Sequence, residues 1–495
     1  MSCQSAGGDA AGKKQPNILF IVTDDQAPWA IQLKNHPKLT TARMGPIPSS
    51  ARPTGWIADS SQLKTPHMSQ IAEKGAYLVN AFTPTPVCSP SRASLLTSRY
   101  GTEVGITDWI HPTQEPKLGL YPSYVTWAEV LQDVGYTTGL VGKWHLGTQD
   151  RYHPTEQGYD SFMGFRSGGT SPADPTLEKH GKRQEFEGFT PNILTSHALQ
   201  FIQDHQEGPF MLSVHYRAPH APWLPLPDQD WAPYKDLNPR IPNPNYPDLD
   251  VPRVKQMMRR YLANVASVDR NVGRLLGLLK KLGISENTVV IFTSDHGYNI
   301  GHNGVAYKGN AHWVVDDPPP ATENVPKGRR PNMYDRSLRV PFAIRWPGVI
   351  EPGTVVEETV TFLDIFPTIV DIAGAKVPDS VTIRGQNALP LLKGKQVSDW
   401  NNGVYAEYSM HHGARTDMRA YRTDTWKLVE DFRNPQRDEL YNLRRDPAET
   451  TNLYDSTGTT IKRVKHRLSQ KILDRMKAIG DPVFDQIDRA EQPSL

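Results

Sequence analysis

Four short apolar runs stand out in the N-terminal part of the chain, and each is followed by polar or charged side chains. The runs cover residues 17–23, 137–141, 210–215 and 289–293. A continuous apolar run of this length predicts a strand buried on both faces, as in a parallel sheet. Residues that follow such strands lie at the carboxyl edge of the sheet, where open α/β folds bind ligands. The pattern therefore predicts a site along that edge.

Between these runs, apolar residues recur every three or four positions, which predicts helices packed on the sheet. The clearest helix covers residues 254–282, with apolar side chains at Met258, Tyr261, Leu262, Val265, Val268, Val272, Leu275, Leu276 and Leu279. Gly283 follows at the position where glycine commonly ends a helix. Alternating strands and helices predict an α/β fold, with a large, mostly parallel sheet flanked by helices on both faces.

The pattern changes after about residue 385. Short strands are predicted in quick succession at 404–408, 418–422, 426–429 and 439–443, followed by a helix from about 460 to 477. This order predicts a smaller C-terminal antiparallel sheet with one helix. We therefore expect a large domain over residues 16–385 and an α+β subdomain over residues 386–495. Long surface loops are expected at 223–252 and 316–330, where Pro, Asp and Asn are frequent.

Charge and hydropathy give no support for two classes of function. The 495 residues carry 55 Lys and Arg against 53 Asp and Glu, which gives a net charge of +2. This balance gives no support for nucleic-acid binding through bulk charge. Since no apolar stretch approaches the roughly 18 residues that cross a bilayer, no transmembrane segment is expected.

The chain has two cysteines, Cys3 and Cys88, which argues against a disulfide framework. Residues 1–15 are small and polar and are predicted to be a disordered tail or lipoprotein linker. Cys3 resembles the lipid-modified cysteine of a bacterial lipoprotein, and an accidental exposed thiol is an equal alternative. The first interpretation predicts a protein that is periplasmic, secreted or lipid-anchored at the bacterial cell surface.

Carboxylates follow the first and the fourth apolar runs. Asp24 and Asp25 follow the first run, and Asp295 with His296 follows the fourth. Three carboxylates and one imidazole make an oxygen-rich set that suits Ca²⁺ or, as the second choice, Mg²⁺. Capping of helix ends by aspartate explains either pair alone. It explains both pairs less well, because they occupy equivalent positions in the predicted sheet.

The segment Cys88-Ser-Pro-Ser-Arg92 resembles the start of the signature motif of the type I sulfatases, a family of the alkaline phosphatase superfamily. Taken alone, this segment is equally compatible with a buried thiol before a helix. Six further segments resemble that family in the same order along the chain: Asn17–Asp25, Gly142–Gly147, Ala218–Pro222, Thr293–Gly297, Gly301–Lys308 and Met333–Pro341. The resemblance implies an alkaline phosphatase-like fold that hydrolyses sulfate esters.

In that family a maturation enzyme, the formylglycine-generating enzyme, oxidises the cysteine to formylglycine, whose hydrate is the nucleophile. The resemblance implies that modified Cys88 joins Asp24, Asp25, Asp295 and His296 around one Ca²⁺ ion. It also implies a role for each remaining motif residue. Arg92 holds the hydrate near the start of a helix over 89–98, and Lys143 and Lys308 bind the sulfate. His220 with Lys308 protonates the leaving oxygen, and His145 accepts a proton as the aldehyde is regenerated.

The chain departs from the common family pattern in two places. His296 stands where many members have asparagine, and residues 309–332 separate Lys308 from Met333 as an insertion that many members lack. The insertion either lines the substrate pocket or forms a surface flap, and it leaves the register of Lys308 open. Aromatic and basic residues in the long loops favour a sulfated polysaccharide or oligosaccharide as the substrate. The alternatives are a phosphodiester or phosphonate monoester hydrolase and an inactive, glycan-binding homologue.

Several residues outside the motifs remain candidates for the walls of a pocket: His215, Trp223, His302, His411 and His412. Arg415 and Arg419 of the C-terminal subdomain either reach a polyanionic substrate or lie at a solvated surface. For these two arginines the surface position is the favoured expectation.

Overall fold

The computed structural model describes residues 15–33 and 62–486. The predicted tail up to residue 14, which includes Cys3, therefore lies outside the described residues. The last nine residues of the C-terminal subdomain lie outside them as well. No helix within the described ranges is long and apolar enough to cross a membrane.

The strands are β1 Asn17–Asp24, β2 Ala76–Leu78, β3 Ala81–Phe82, β4 Thr137–Lys143, β5 Ser161–Phe165, β6 Thr176–Lys179, β7 Lys182–Glu185, β8 Phe210–Pro219, β9 Thr288–Ser294, β10 Asn299–His302, β11 Val305–Tyr307, β12 Asn310–Trp313, β13 Arg329–Pro331, β14 Phe342–Arg345, β15 Thr354–Val356, β16 Val360–Thr361, β17 Val404–Met410, β18 Thr416–Arg422, β19 Trp426–Asp431 and β20 Glu439–Asn442. The α-helices are α1 Pro66–Glu73, α2 Cys88–Thr97, α3 Gly101–Val104, α4 Trp127–Asp133, α5 Thr190–Asp204, α6 Asp228–Lys235, α7 Val251–Lys281, α8 Asp335–Leu338, α9 Ile365–Ile372, α10 Leu389–Leu392 and α11 Thr459–Ile479.

The four strands predicted from the apolar runs are neighbours at the centre of one ten-stranded sheet, whose order is β15-β2-β14-β9-β1-β8-β4-β5-β6-β7. Strands β9, β1, β8 and β4 run parallel to one another, and β5 continues the parallel part. Antiparallel pairing joins β14 to β9 and β6 to β5. The predicted large, mostly parallel sheet is therefore confirmed, and its central carboxyl ends lie side by side.

Alternate residues of β1 face two separate hydrophobic cores. Ile18, Phe20 and Val22 belong to one core, and Leu19 and Ile21 belong to the other. Helices α2, α4 and α9 pack together on the first side, and α1, α5 and α7 pack together on the second. All eight residues of β1 are buried, which is why this strand shows a continuous apolar run without alternation.

The long helix α7 confirms the helix predicted from apolar periodicity. The Asp250 side chain accepts a hydrogen bond from the Arg253 backbone N–H at 3.0 Å and so caps the first turn. Gly283 lies just beyond the last turn with φ of 72°, a left-handed conformation that glycine adopts without steric cost.

The C-terminal part forms a second, antiparallel sheet in the order β17-β18-β19-β20, with α11 packed on β18 and β19. This confirms the predicted small sheet with one helix, whereas the domain boundary near residue 385 stays a prediction. Arg419 contradicts both expectations for it. Its side chain is buried and pairs with Asp481 at 2.5 Å inside the subdomain, because β18 turns this position toward the interior.

Two other expectations were wrong for a similar reason. The segment 223–252 is not only a loop, because it contains α6 and the start of α7. Trp223 is buried in the hydrophobic core beside α7, and His302 is buried with its ring 5.4 Å from that of Trp29. Neither residue is a pocket wall. Contacts inside the protein bury both side chains, which were expected to line a pocket.

Candidate active site

The ends of β1 and β9 bring three carboxylates together. Asp24 is the last residue of β1, and Asp25 leaves the strand with a left-handed backbone conformation, φ 71°. The Asp295 backbone N–H donates to the Thr23 carbonyl at 2.9 Å, which holds the two strand ends level. The Asp25 N–H donates to Asp295 Oδ1 at 3.3 Å. The turn after β1 therefore lets two consecutive aspartates take part in one buried cluster.

Cys88 is the first residue of α2 and is buried against this cluster. Its Sγ lies 3.1 Å from Lys308 Nζ, 3.4 Å from His296 Nε2 and 3.7 Å from Asp24 Oδ1. Burial raises the pKa of the Cys88 thiol, but the Lys143 and Lys308 ammonium groups outweigh this effect and lower it to about 7. This position therefore favours a group that carries negative charge.

Two buried lysines pair with the two consecutive aspartates. Lys143, at the end of β4, places Nζ 2.6 Å from Asp24 Oδ2. Lys308 follows β11 and places Nζ 2.8 Å from Asp25 Oδ1. Burial raises the pKa of Asp24, and the surrounding cations, Lys143 first among them, bring it well below its usual value. The insertion after Lys308 had left its register open, and these distances place Lys308 in the cluster.

Arg92 contacts a carboxylate of the cluster and the end of β4. It lies one helical turn after Cys88, and its Nε donates to Asp295 Oδ2 at 3.0 Å. Its Nη1 donates to the Lys143 carbonyl oxygen at 3.1 Å. The guanidinium group thus holds Asp295 and the end of β4 in place. Its expected contact with the hydrate derived from Cys88 stays a prediction.

The two candidate proton-transfer histidines lie near the strand ends, His145 buried and His220 half-buried. His145 places Nε2 3.2 Å from the Ile110 carbonyl oxygen, so Nε2 carries the proton and the buried, unpartnered Nδ1 remains an acceptor. Burial lowers the pKa of His145 well below its usual value. His220 Nε2 lies 3.8 Å from Asp25 Oδ2, and burial lowers the pKa of His220 to about 4.

Two residues of β8 form hydrogen bonds to backbone carbonyl groups near the cluster. His215, a pocket candidate from the sequence, places Nδ1 3.0 Å from the Lys143 carbonyl oxygen and is buried behind Arg92. Arg217 was missed by the sequence analysis. Both of its Nη atoms donate to the Pro222 carbonyl oxygen at 3.1 Å, which holds the turn that carries His220. Its position near the end of an apolar run was the only available signal.

The donor atoms fit a divalent cation. Asp24, Cys88, Asp295 and His296 each offer one ligand atom, and these atoms all lie within 4.8 Å of one another; Asp24, Asp25 and His220 form an overlapping group. Buried carboxylates need compensating positive charge, and their oxygens are the donors that Ca²⁺ and Mg²⁺ prefer. The chemistry of this set therefore agrees with the cation expected from the sequence.

Comparison with known proteins gives the family context of this site. Residues 16–375 match the family model described as Sulfatase, and residues 329–478 match the model described as N-sulphoglucosamine sulphohydrolase, C-terminal. The first match covers the sheet, Cys88, both lysines and every residue of the cluster. The second match covers the C-terminal sheet together with the strands that lead into it.

Two curated relatives have similar lengths and sequences. An N-acetylglucosamine-6-O-sulfatase of Bacteroides thetaiotaomicron is 25% identical over 523 residues, covering 89% of this chain and 83% of the relative. An ulvan-active sulfatase of Formosa agariphila is 26% identical over 482 residues, covering 94% of this chain and 82% of the relative.

Among solved structures, a protein in complex with its substrate D-glucosamine-2-N,6-O-disulfate superposes with a TM-score of 0.76 at 23% identity. The superposition covers 97% of this chain and all of that chain. This likeness shows that the two proteins share a fold.

Proposed function

The chain belongs to the sulfatase family and is a sulfuric ester hydrolase, and on that premise we propose that its substrate is a sulfated carbohydrate. The nucleophile is the formylglycine hydrate derived from Cys88, and one Ca²⁺ ion completes the site. The observation that carries this proposal is the contact of Cys88 Sγ with Lys308 Nζ at 3.1 Å and with His296 Nε2 at 3.4 Å. These contacts lie beside three buried carboxylates at the carboxyl edge of the sheet.

Sulfate-ester hydrolysis places new negative charge on the sulfuryl oxygens and on the leaving oxygen. The ammonium groups of Lys143 and Lys308 pair with Asp24 and Asp25 in the cluster that contains Cys88, and we place the bound sulfate between them and residue 88. Preorganised charges of this kind stabilise a transition state without reorganisation, since they are already held by Asp24 and Asp25. The lysines therefore bind the sulfate and offset the charge that develops during reaction.

Proton transfer falls to the histidines His145 and His220. His145 has an unpartnered Nδ1 that is free to accept a proton, because Nε2 donates to Ile110. His220, beside Asp25, is the candidate donor to the leaving oxygen, and the nearby Lys308 ammonium group shares this task. Arg92 acts on the reaction through Asp295 and Lys143, which it keeps in place.

The expected cofactors would be held by residues already in the cluster. Asp24, Asp25, Asp295 and His296 would hold the cation, with residue 88 facing it. When bound, Ca²⁺ supplies Lewis acidity, and the formylglycine hydrate supplies a nucleophile whose sulfated form breaks down without a second attack on sulfur. Maturation by a formylglycine-generating enzyme is part of this proposal.

The carbohydrate part of the proposal is supported by the relatives. One is named as a sulfatase of N-acetylglucosamine and another as active on ulvan. Substrates of this kind occur outside cells, so we also propose a periplasmic, secreted or lipid-anchored location. Labelling of cells with a radioactive fatty acid tests the lipid anchor, which requires label on the wild type and none on Cys3→Ser.

The function is tested by measuring free sulfate released from defined sulfated mono- and oligosaccharides, beside phosphate release from a phosphodiester and a phosphonate monoester. Mass spectrometry of the peptide that contains residue 88 establishes conversion to formylglycine in the same preparation. We expect sulfate release to dominate and to be lost in Cys88→Ala. The matched variant Cys3→Ser, which changes the other cysteine, is expected to keep full activity.

Three outcomes would contradict the proposal. Dominant phosphodiester turnover indicates the phosphoesterase alternative. No turnover of any substrate by the converted enzyme, with retained binding of sulfated glycans, indicates a binding homologue. Full activity of Cys88→Ala excludes residue 88 as the nucleophile.

A further inference from the structure

A polar cavity of about 590 Å³ lies between the large sheet and the C-terminal subdomain. One wall is the segment 107–115, which follows α2 and α3, and the other is the turn 411–415 between β17 and β18. Its volume falls within the range of small-molecule sites. The residues that matter here are Gln114, Glu115, His411, His412 and Arg415, all of which line it.

The segment 107–115 also forms part of the catalytic site. The Ile110 N–H donates to Ser89 Oγ at 3.0 Å, next to Cys88, and the Ile110 carbonyl oxygen is the partner of His145 Nε2. The same segment contributes Gln114 and Glu115 to the cavity. The same backbone segment therefore borders both the catalytic site and the cavity.

Asp108 fixes the second wall against the first. Its Oδ2 accepts the N–H groups of His411 and His412, both at 3.0 Å, and its Oδ1 accepts from the Trp109 N–H and the Tyr408 hydroxyl. These four bonds use the acceptor capacity of the carboxylate. Asp108, His411 and His412 lie close enough to hold a metal. Because Asp108 already accepts four hydrogen bonds, we interpret the cluster as a structural link that holds the turn 411–415 against the segment 107–115.

The charged groups of the cavity leave one cation without a partner. Asp417 pairs with Arg433 at 2.7 Å, and Glu115 contacts Nε2 of both His411 and His412 at 2.8 Å. Within the described residues, the exposed Arg415 guanidinium has no hydrogen bond or ion pair. Its backbone N–H, by contrast, is fixed by the Asn324 carbonyl oxygen at 2.8 Å. The insertion 309–332 thus holds the chain at Arg415, and the side chain remains available.

We propose that this cavity is a second anion subsite, in which Arg415 binds a sulfate or carboxylate group on the sugar unit next to the one being desulfated. The Gln114 amide and the ring nitrogens of His411 and His412 that do not contact Glu115 provide donors and acceptors for the hydroxyls of that unit. The Trp109 ring packs against the ring of His412 at a centroid distance of 4.7 Å. This inference rests on the proposed function, because it concerns the same substrate beyond its reacting sulfate.

The test compares wild type, Arg415→Ala and Arg415→Lys on four substrates: an aryl sulfate, and sulfated disaccharides whose second sugar carries a sulfate, a carboxylate or no charge. Losing one charge-assisted hydrogen bond lowers kcat/KM about 10- to 100-fold. We expect this loss in Arg415→Ala only for disaccharides with the second charge, with partial rescue by lysine. The sulfate and carboxylate arms distinguish the two sources of the anion.

Arg444→Ala is the matched control, since it removes the same charge from an exposed residue of the same subdomain whose partner is Asp424. It is expected to behave as wild type on all four substrates. Equal kcat/KM values for wild type and Arg415→Ala on the charged disaccharides would overturn the subsite. An equal loss on every substrate would also overturn it, because that indicates a general effect on the enzyme. Wild type without activity on any sulfate ester would contradict the proposed function itself.

Discussion

Replacement of Lys308 by methionine removes one cation from the centre of the site while keeping the length of the side chain. The Lys308 Nζ lies 3.1 Å from Cys88 Sγ and 2.8 Å from Asp25 Oδ1, and the residue is only 5% exposed. We expect Lys308→Met to fold and to lose most of its sulfate-ester turnover. The reason is that, in the proposed mechanism, Lys308 is one of two ammonium groups that offset the negative charge developing on the sulfate.

The size of the loss follows from the distance. Two unit charges 3.1 Å apart interact by about 5 kcal/mol at an effective dielectric constant of ~20. Part of this interaction is present before the transition state and does not accelerate the reaction. Removal of one preorganised electrostatic group typically costs about 10²–10³ in kcat. We therefore expect kcat for sulfate release to fall by roughly that factor.

The assay is steady-state release of free sulfate, with circular dichroism and thermal melting to check folding and mass spectrometry to check formylglycine. Lys327→Met is the matched control, because Lys327 lies in the insertion 309–332 that follows Lys308, is exposed and pairs with Asp317. A fall in kcat of less than about threefold in Lys308→Met would refute the reasoning. An equal fall in both variants would refute it as well.

Three further outcomes are expected. Removing divalent cations with a chelator should lower turnover at least about 100-fold, and Ca²⁺ should restore more activity than Mg²⁺. Full activity after chelation would show that turnover does not need a divalent cation. Asp335→Asn should lower the free energy of urea unfolding by about 3–5 kcal/mol, because Asp335 is buried between Arg422 and Lys427 at 2.9 and 3.2 Å; a change below about 1 kcal/mol contradicts this. Burial raises the pKa of Asp269 to about 7, so the contribution of Asp269 to the unfolding free energy should fall between about pH 4 and pH 7, where its carboxyl group ionises only in the unfolded state. Asp269→Asn should make the slope of unfolding free energy against pH less negative in this range, and an unchanged slope in urea titrations contradicts the prediction.

The parts predicted correctly from the sequence are those set by local pattern. A run such as residues 17–23 has to be buried on both sides, and its carboxyl end has to deliver Asp24 and Asp25 to one edge of the sheet. The helix α7 and the C-terminal strands follow in the same way from periodicity. Residues that were predicted wrongly, such as Trp223 and Arg419, lie where burial depends on a distant segment.

The sequence by itself determined the strands, the order of the motifs and the kind of chemistry that their residues can perform. Only the tertiary structure decided that Lys308, 220 residues from Cys88, reaches its sulfur atom. Packing likewise directed Arg92 to Asp295 and brought Arg415 to the cavity beside Glu115. The physical reason is that side-chain distances between remote segments depend on how sheets and loops pack. Periodicity along the chain carries no such information.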